Sequence, residues 1–326
     1  MRMKIIGTGS ALPRTRVDNG QMAEWVDTTD AWIRERTGIG ERRLSTGETV
    51  VSLGTEACLK ALEQAGIGAE EVDLILLATC TPEYLFPCGA CQIQAAIGAV
   101  HAAAYDINAA CSGFVFGLNA AQAYIRAGVY RRILVVGSEV LSKVADWSDR
   151  STCVLFGDGA GAVLAQARED GESRMLSSIQ GADGTKGMVL NCRSRMMMNP
   201  LFQENPEEAD TMYLTMDGRE VYCFAVRQVA VCIAQVLEKA GLTPEEVGLF
   251  ILHQANVRII EAVARNLGVD IGRFPMNLER VGNMSSASIP VLLDELNREG
   301  RLHRGDRIVL SGFGGGLTYG ACVLVW

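Results

Sequence analysis

Residues 61–77 read ALEQAGIGAEEVDLILL, and residues 236–252 read VLEKAGLTPEEVGLFIL. Nine of the seventeen positions are identical, at a constant offset of 175 residues. The same offset aligns Arg132-Ile-Leu-Val-Val-Gly137 with Arg307-Ile-Val-Leu-Ser-Gly312 without a gap. Each matched block reads as a helix, a turn and a short apolar strand, and internal self-similarity of this kind reports a duplicated architecture. Apolar strands separated by helices predict parallel pairing in an α/β fold. We therefore expect two similar halves, residues 1–168 and 169–326, packed as one body.

Composition narrows the function. The 326 residues suffice for a large core. With 48% hydrophobic and 21% charged residues the chain is globular, not disordered. A net charge of −8 and the lack of a Lys/Arg block argue against nucleic acid as a partner. The N-terminus has no signal-peptide core, and no uninterrupted apolar run reaches the length of a membrane span. Ten scattered cysteines in a chain of this length predict free thiols in a reducing cytosol. The single C-x-x-C, Cys88 to Cys91, is read as small residues on a helix beginning after Pro87; no second pair completes a zinc set.

Cys111 lies in Tyr-Asp-Ile-Asn-Ala-Ala-Cys-Ser-Gly-Phe, residues 105–114, between a short strand and a helix apolar nearly all round. A cysteine at such an elbow sits at a helix start, where free N–H groups and the helix dipole favour a thiolate. The repeat offset carries Asn108 onto Asn283, Cys111 onto Ser286, and the strand end Ala78 onto His253. If a pseudo-two-fold axis relates the halves, Cys111, His253 and Asn283 converge. A thiol, an imidazole and a neutral amide donor form a set that attacks a carbonyl and stabilises its oxyanion. Of the other histidines, His303 reads as a solvated loop residue and His101 has no polar cluster around it.

Gly157-Asp-Gly-Ala-Gly161 and Gly312-Phe-Gly-Gly-Gly316 are both followed by strand-like sequence. Phosphate-binding loops need a helix there. Both runs are read as tight turns between antiparallel edge strands. The second has a further possible role, since unobstructed backbone can aim an N–H at an oxyanion.

Ala109-Ala-Cys-Ser-Gly-Phe114, His253-Gln-Ala-Asn256, Gly282-Asn-Met-Ser-Ser-Ala-Ser288 and Gly312-Phe-Gly-Gly-Gly-Leu-Thr-Tyr-Gly320 resemble the β-ketoacyl-[acyl-carrier-protein] synthase III family of the thiolase superfamily. Asp27-Thr-Thr-Asp-Ala-Trp-Ile-Arg-Glu-Arg-Thr-Gly-Ile39 and Phe86-Pro-Cys-Gly-Ala-Cys-Gln-Ile-Gln94 fit the same family, so the resemblance spans essentially the whole chain. It implies a five-layered αβαβα thiolase fold of two βαβαβαββ halves, assembled as a homodimer. It implies acyl-CoA as substrate, with no permanently bound cofactor, and malonyl-acyl carrier protein as second substrate. Cys111 would carry the acyl group, with the Cys111 and Gly314 N–H groups as oxyanion hole. His253 and Asn283 would hold the malonyl thioester oxygen during decarboxylation. The matching CoA positions are Trp32 and Arg150 around the adenine, Arg36 on phosphate, Thr28, Asn256 and Arg258 along the tunnel, and Tyr222 near the pantetheine. Phe86 would reach into the partner subunit's acyl pocket.

Two positions depart from the family pattern without disturbing the set: Met284 follows the asparagine where threonine is usual, and Tyr319 replaces a common tryptophan. The stretch 191–211, with Met196, Met197 and Met198 in a row, is longer than usual; it is expected either to shape the acyl or CoA entrance or to be an exposed loop. A thiolase would need a second cysteine in Gly312–Gly316, which contains none. Hydroxymethylglutaryl-CoA synthase would need a catalytic glutamate, for which Glu83 is a poor candidate. A plant-type polyketide synthase would have a different glycine loop, and a non-catalytic CoA-binding subunit would have lost part of the triad. A synthase III-like enzyme of secondary metabolism, using another starter or another acyl acceptor, stays open beside fatty acid synthesis.

Overall fold

The computed structural model of the chain describes residues 1–169, 174–195, 198–203, 205 and 212–326. The first half runs β1 (Arg2–Ala11), α1 (Asp30–Thr37), α2 (Val50–Ala65), β2 (Leu74–Ala78), α3 (Gly89–Ile97), β3 (Ala103–Ile107), α4 (Gly113–Ala127), β4 (Arg132–Glu139) and β5 (Gly159–Arg168). The second runs β6 (Arg174–Ala182), α5 (Gly218–Ala240), β7 (Leu249–Leu252), α6 (Val257–Leu267), α7 (Ser288–Arg298), β8 (Arg307–Gly314) and β9 (Thr318–Val325).

The matched sequence blocks fold alike because they carry the same stop and start signals. Thr49 caps α2 with its hydroxyl, and Asp217 caps α5 with its carboxylate. The helices end at Gly66 and Gly241, with φ of 65° and 67°, a left-handed conformation that favours glycine. The strands that follow, β2 and β7, are short and apolar, LILLA and LFIL, and largely buried.

One sheet has the order β1-β5-β4-β2-β3, with β2 parallel to both β3 and β4. The other has the order β7-β8-β9-β6, with β7 parallel to β8. The remaining neighbours are antiparallel. The expected parallel pairing thus holds for the helix-connected strands, while β5 and β9 return as hairpin partners. The first glycine run enters β5 and the second lies at the end of β8 and in the turn to β9, and none of these strands is at an edge: β5 lies between β1 and β4, β8 between β7 and β9, and β9 between β8 and β6. The edge-strand reading is corrected accordingly. Small residues suit these interior positions because neighbours approach closely; a Cβ on Gly161 would fall 2.6 Å from the Val291 nitrogen.

Helices α4 and α7 pack between the two sheets. α2 and α3 cover the outer face of the first sheet, and α5 covers that of the second, with α6 beside it. This is the five-layered αβαβα arrangement. β2 is buried along its whole length, as a strand covered on both faces must be. The central layer also carries polar ties. Asp294 of α7, buried, accepts from Thr8 Oγ1 at 2.7 Å and Ser10 Oγ at 2.6 Å of β1. α5 has the length and apolar composition of a membrane span despite its charged residues, which a search for uninterrupted apolar runs passes over; here it packs on β9, β6 and β8.

The halves differ where β3 would be repeated. The residues 175 positions on form the short helix Leu278–Val281, so the second sheet has four strands among the described residues where the first has five.

Candidate active site

After β3 the chain passes through Asn108 and Ala109 into a 3-10 turn, Ala110–Ser112, that runs straight into α4. Ala110 has φ 45°, a region that side chains other than glycine rarely occupy. The Asn108 side chain supports the bend by accepting from the Ala110 N–H at 3.3 Å. The repeat builds the same device again. Ser285 has φ 48°, its N–H donates to Asn283 Oδ1 at 2.9 Å, and the turn Ser285–Ala287 runs into α7. Strained non-glycine backbone of this kind persists where the surroundings over-determine it, often at functional sites.

Both elbows approach one cavity of about 940 Å³. Cys111, His253 and Asn283 line it together, with Gly314 beside them. The Cys111 amide and Gly314 are close neighbours: a Cβ on Gly314 would fall 2.5 Å from the Cys111 nitrogen. The glycine there keeps the approach to the two backbone N–H groups open. Thr318 ties the glycine turn to the elbow by donating to the Ala109 carbonyl at 3.0 Å.

Burial pushes the Cys111 thiol up to about 12, while hydrogen bonds from Ser285 and from its own backbone pull it down. The dry pocket therefore works against the thiolate that a helix start favours, and the resting group is a thiol. Burial also drives His253 down to about 3, so its imidazole is neutral. Its backbone N–H donates to the Ser311 carbonyl at 2.8 Å and its ring packs edge-on to Phe313. Its Nδ1 has no partner among the described residues. Asn283 is fixed by its backbone: its N–H donates to Leu155 O and its carbonyl accepts from Gly157 N–H, both at 2.9 Å. With Oδ1 taken by Ser285, the Asn283 amide N–H₂ is its remaining donor group.

Trp32, Arg36, Tyr222, Asn256 and Arg258 line the outer part of the same cavity. Thr29 caps α1, which carries Trp32 and Arg36 one turn apart. The Arg36 and Arg150 guanidinium carbons lie 4.8 Å and 5.3 Å from the Trp32 ring centre. Arg150 is anchored by donating to the Asp27 carbonyl at 2.9 Å. Asn256 links the region by donating to the Arg36 carbonyl at 2.9 Å. Thr28 and Arg150 are not among the residues that line the cavity, although Arg150 lies against Trp32, which is; the Thr28 hydroxyl has no partner among the described residues. Phe86 lies away from this cavity, 85% exposed.

Asn191 and Cys192, at the start of the long stretch, line the cavity with the preceding Leu190; Met196 and Met197 lie outside the described residues. Glu83 accepts from the Val50 N–H at 2.9 Å and pairs with Lys143, and it does not reach the cavity. Cys322 is buried in β9. Cys88 and Cys91 stand 3.4 Å apart, sulfur to sulfur, at the start of α3. Sequence reasoning missed Ser285, Cys80 and the residue behind them, Glu139; the only signal for Ser285 was its place two residues after Asn283.

A thiol, a neutral histidine and an asparagine at paired elbows between two sheets define a thiolase-fold condensing enzyme. A family model of 3-oxoacyl-[acyl-carrier-protein (ACP)] synthase III matches residues 105–184, and one of its C-terminal region matches residues 237–326. A β-ketoacyl-[acyl-carrier-protein] synthase III of Clostridium acetobutylicum is 47% identical over 324 residues, covering 99% of this chain and 98% of the relative. One from Bacillus anthracis is 46% identical over 327 residues, covering 100% and 99%. Among solved structures, a 3-oxoacyl-[acyl-carrier-protein] synthase III from Aquifex aeolicus superposes with a TM-score of 0.92 at 44% identity, over 99% of this chain and 100% of that one. The chain belongs to the β-ketoacyl-[acyl-carrier-protein] synthase III family.

Proposed function

We propose that the protein joins an acyl-CoA starter to malonyl-acyl carrier protein, giving 3-oxoacyl-carrier protein, CO₂ and CoA, and so initiates fatty acid synthesis. The observation that carries this reading is the single cavity lined by Cys111, His253, Asn283 and the open backbone at Gly314. In the first half-reaction the Cys111 sulfur attacks the acyl-CoA thioester, and the thiol proton ends on CoA. The N–H groups of Cys111 and Gly314 meet the oxyanion of the tetrahedral intermediate. In the second, malonyl-carrier protein loses CO₂. The enolate charge gathers on its thioester oxygen, against the N–H donors of neutral His253 and Asn283. The carbanion attacks the acyl-Cys111 carbonyl, and the sulfur leaves and takes up a proton. Preorganised neutral donors suit both oxyanions, because charge forms and vanishes within one cycle.

Trp32 and Arg150, with Arg36, present a flat stacking surface and positive charge suited to a nucleotide carrying phosphate. CoA would lie from there past Thr28, Asn256, Arg258 and Tyr222 toward Cys111, as substrate and not as resident cofactor. A homodimer is supported by the open edge strand β3 and by Tyr84, Leu85 and Phe86, all exposed in a single chain. In it Phe86 would enter the partner subunit's acyl pocket. A cytoplasmic location follows from the substrates, and the division of labour puts the nucleophile in residues 1–168 and both side-chain donors in 169–326. The polyketide-priming alternative is weaker: the priming β-ketosynthase of the R1128 pathway is 35% identical, against 47% for the Clostridium synthase III. Intact-mass measurement after incubation with acyl-CoA tests the reading. Native protein gains one acyl group and Cys111→Ala gains none, with condensation falling by at least ~10³-fold. An adduct that survives Cys111→Ala ends it.

A further inference from the structure

Glu139 is the last residue of β4, fully buried directly behind the paired elbows. The repeat places it opposite Gly314: β4 and β8 align at the 175-residue offset along their whole length. At the Cys111 elbow this position is a glycine, and the space beside the nucleophile is open. At the Ser286 elbow the same position carries a carboxyl group, which fills that space. We propose that Glu139 is a positioning residue for the condensation site: a neutral carboxylic acid that clamps the second elbow to the end of β2 and withholds negative charge from Cys111. The proposal rests on the reading of Cys111 as the acyl-carrying nucleophile.

The proton inventory assigns the neutral form. The Ser286 hydroxyl lies 2.8 Å from the Ala78 carbonyl oxygen and 2.9 Å from Glu139 Oε1. It has one proton, and a carbonyl has none. The short contact to Ala78 therefore takes the serine proton, and the contact to Glu139 is satisfied when the carboxyl donates. The other carboxyl oxygen accepts from Thr81 Oγ1 at 2.6 Å, Thr79 Oγ1 at 3.2 Å and the Cys80 N–H at 3.1 Å. No Lys or Arg is among these partners. The titratable groups facing Glu139 are the thiols of Cys80, 3.4 Å from Oε1, and Cys111; Lys143, beyond Thr81, is engaged with the Thr81 carbonyl and Glu83. A buried carboxylate without a counter-ion is costly, whereas a buried acid with every hydrogen bond made is not. Burial accordingly raises Glu139 above the ordinary carboxylate range.

What is clamped matters to the chemistry. The turn held at Ser286 also carries Ser285 and Asn283, which line the cavity together with Cys111. An ionised Glu139 would oppose formation of the Cys111 thiolate; a neutral one fixes the donors without that penalty.

The test uses the purified full-length protein and its Glu139→Gln and Glu139→Leu variants. An amide is neutral like the acid and keeps one acceptor oxygen and a donor in place of the hydroxyl. Glu139→Gln should therefore alkylate at Cys111 with iodoacetamide within about threefold of native across neutral pH, and should rescue condensation relative to Glu139→Leu. Glu139→Leu, folded by circular dichroism, should lose at least ~10-fold in kcat with little change in KM for acetyl-CoA. The native-minus-Gln infrared difference spectrum at neutral pH should contain the carbonyl stretch of a protonated carboxylic acid. A carboxylate band in its place, a change of about tenfold either way in Glu139→Gln alkylation, or native kcat in a folded Glu139→Leu overturns the proposal. If Glu139→Leu does not fold, the infrared band and the Gln pH profile decide. An acyl adduct that survives Cys111→Ala removes the site reading instead, and leaves the infrared result standing.

Discussion

The two elbows share a backbone and differ in what surrounds them. Each follows an asparagine whose side chain accepts the N–H two residues on, each bends at a non-glycine residue of positive φ, and each starts a central helix. At the first, the turn presents a thiol to a cavity, with glycine at the facing strand end. At the second, it presents a serine to a carbonyl and a carboxyl group, and no space remains. The repeat thus gives two corners of the same backbone, of which one is open and the other is filled. The filled one serves the other: its asparagine, carried on the same bend, is turned to the shared cavity as a hydrogen-bond donor. In the proposed reaction the open corner carries the acyl group and the filled one supports it.

The contrast can be broken most sharply at the facing glycines. Gly314→Ala puts a methyl group where the nucleophile's amide must meet substrate. It should lower kcat for acyl transfer by roughly 10²–10³-fold in a folded protein, measured by single-turnover acylation. Gly137, which aligns with Gly312 at the other elbow, would meet the Ser286 carbonyl oxygen at 2.3 Å on gaining a Cβ. Gly137→Ala should cost stability, about 1–3 kcal/mol by urea unfolding. Next comes the residue unique to one side. His253 stays neutral in the fold to about 3, against an ordinary 6.5. The unfolded chain therefore binds a proton that the folded chain refuses. Stability present above about pH 6.5 is lost as pH falls toward 3, by on the order of 1 kcal/mol per pH unit, and His253→Gln should flatten that part of the curve. The smallest effect is expected for Ser286→Ala. It removes the hydroxyl between Ala78 and Glu139 for about 1 kcal/mol of stability, where the aligned Cys111→Ala abolishes acylation.

Much of this was legible in the chain because the repeat is a physical constraint as well as a pattern. Strands and helices at one offset must pack alike, so His253 and Asn283 could be set beside Cys111 before any coordinates. The outer residues were legible only through family resemblance, since Arg36, Arg150 and Arg258 look like ordinary solvated arginines until two of them are seen against the Trp32 ring. The thiolate expected from the helix start was not met, because periodicity reports which face is buried and not how dry the nucleophile's pocket is. Glu139 was invisible for a related reason. A carboxylate at a strand end reads as solvent-exposed, and only the closing of the second half over it makes it an interior acid. The second glycine run lies at a tight turn as expected, whereas Gly159–Gly161 of the first lie within β5, and neither is at an edge, because sequence does not reveal which strand lies next to which.

Asp294 holds Thr8 and Ser10 across 286 and 284 residues of chain. Contacts that distant are formed late in synthesis and at a large loop-closure cost, so the central layer is a high-contact-order structure that folds slowly. As the polypeptide leaves the ribosome, β1 and α4 must wait for α7, β8 and β9 with part of their apolar surface uncovered. Cys111 lies in the waiting half. The proposed oxyanion site beside it is completed only when Gly314 arrives, so a chain interrupted before that point is exposed to aggregation and lacks that site.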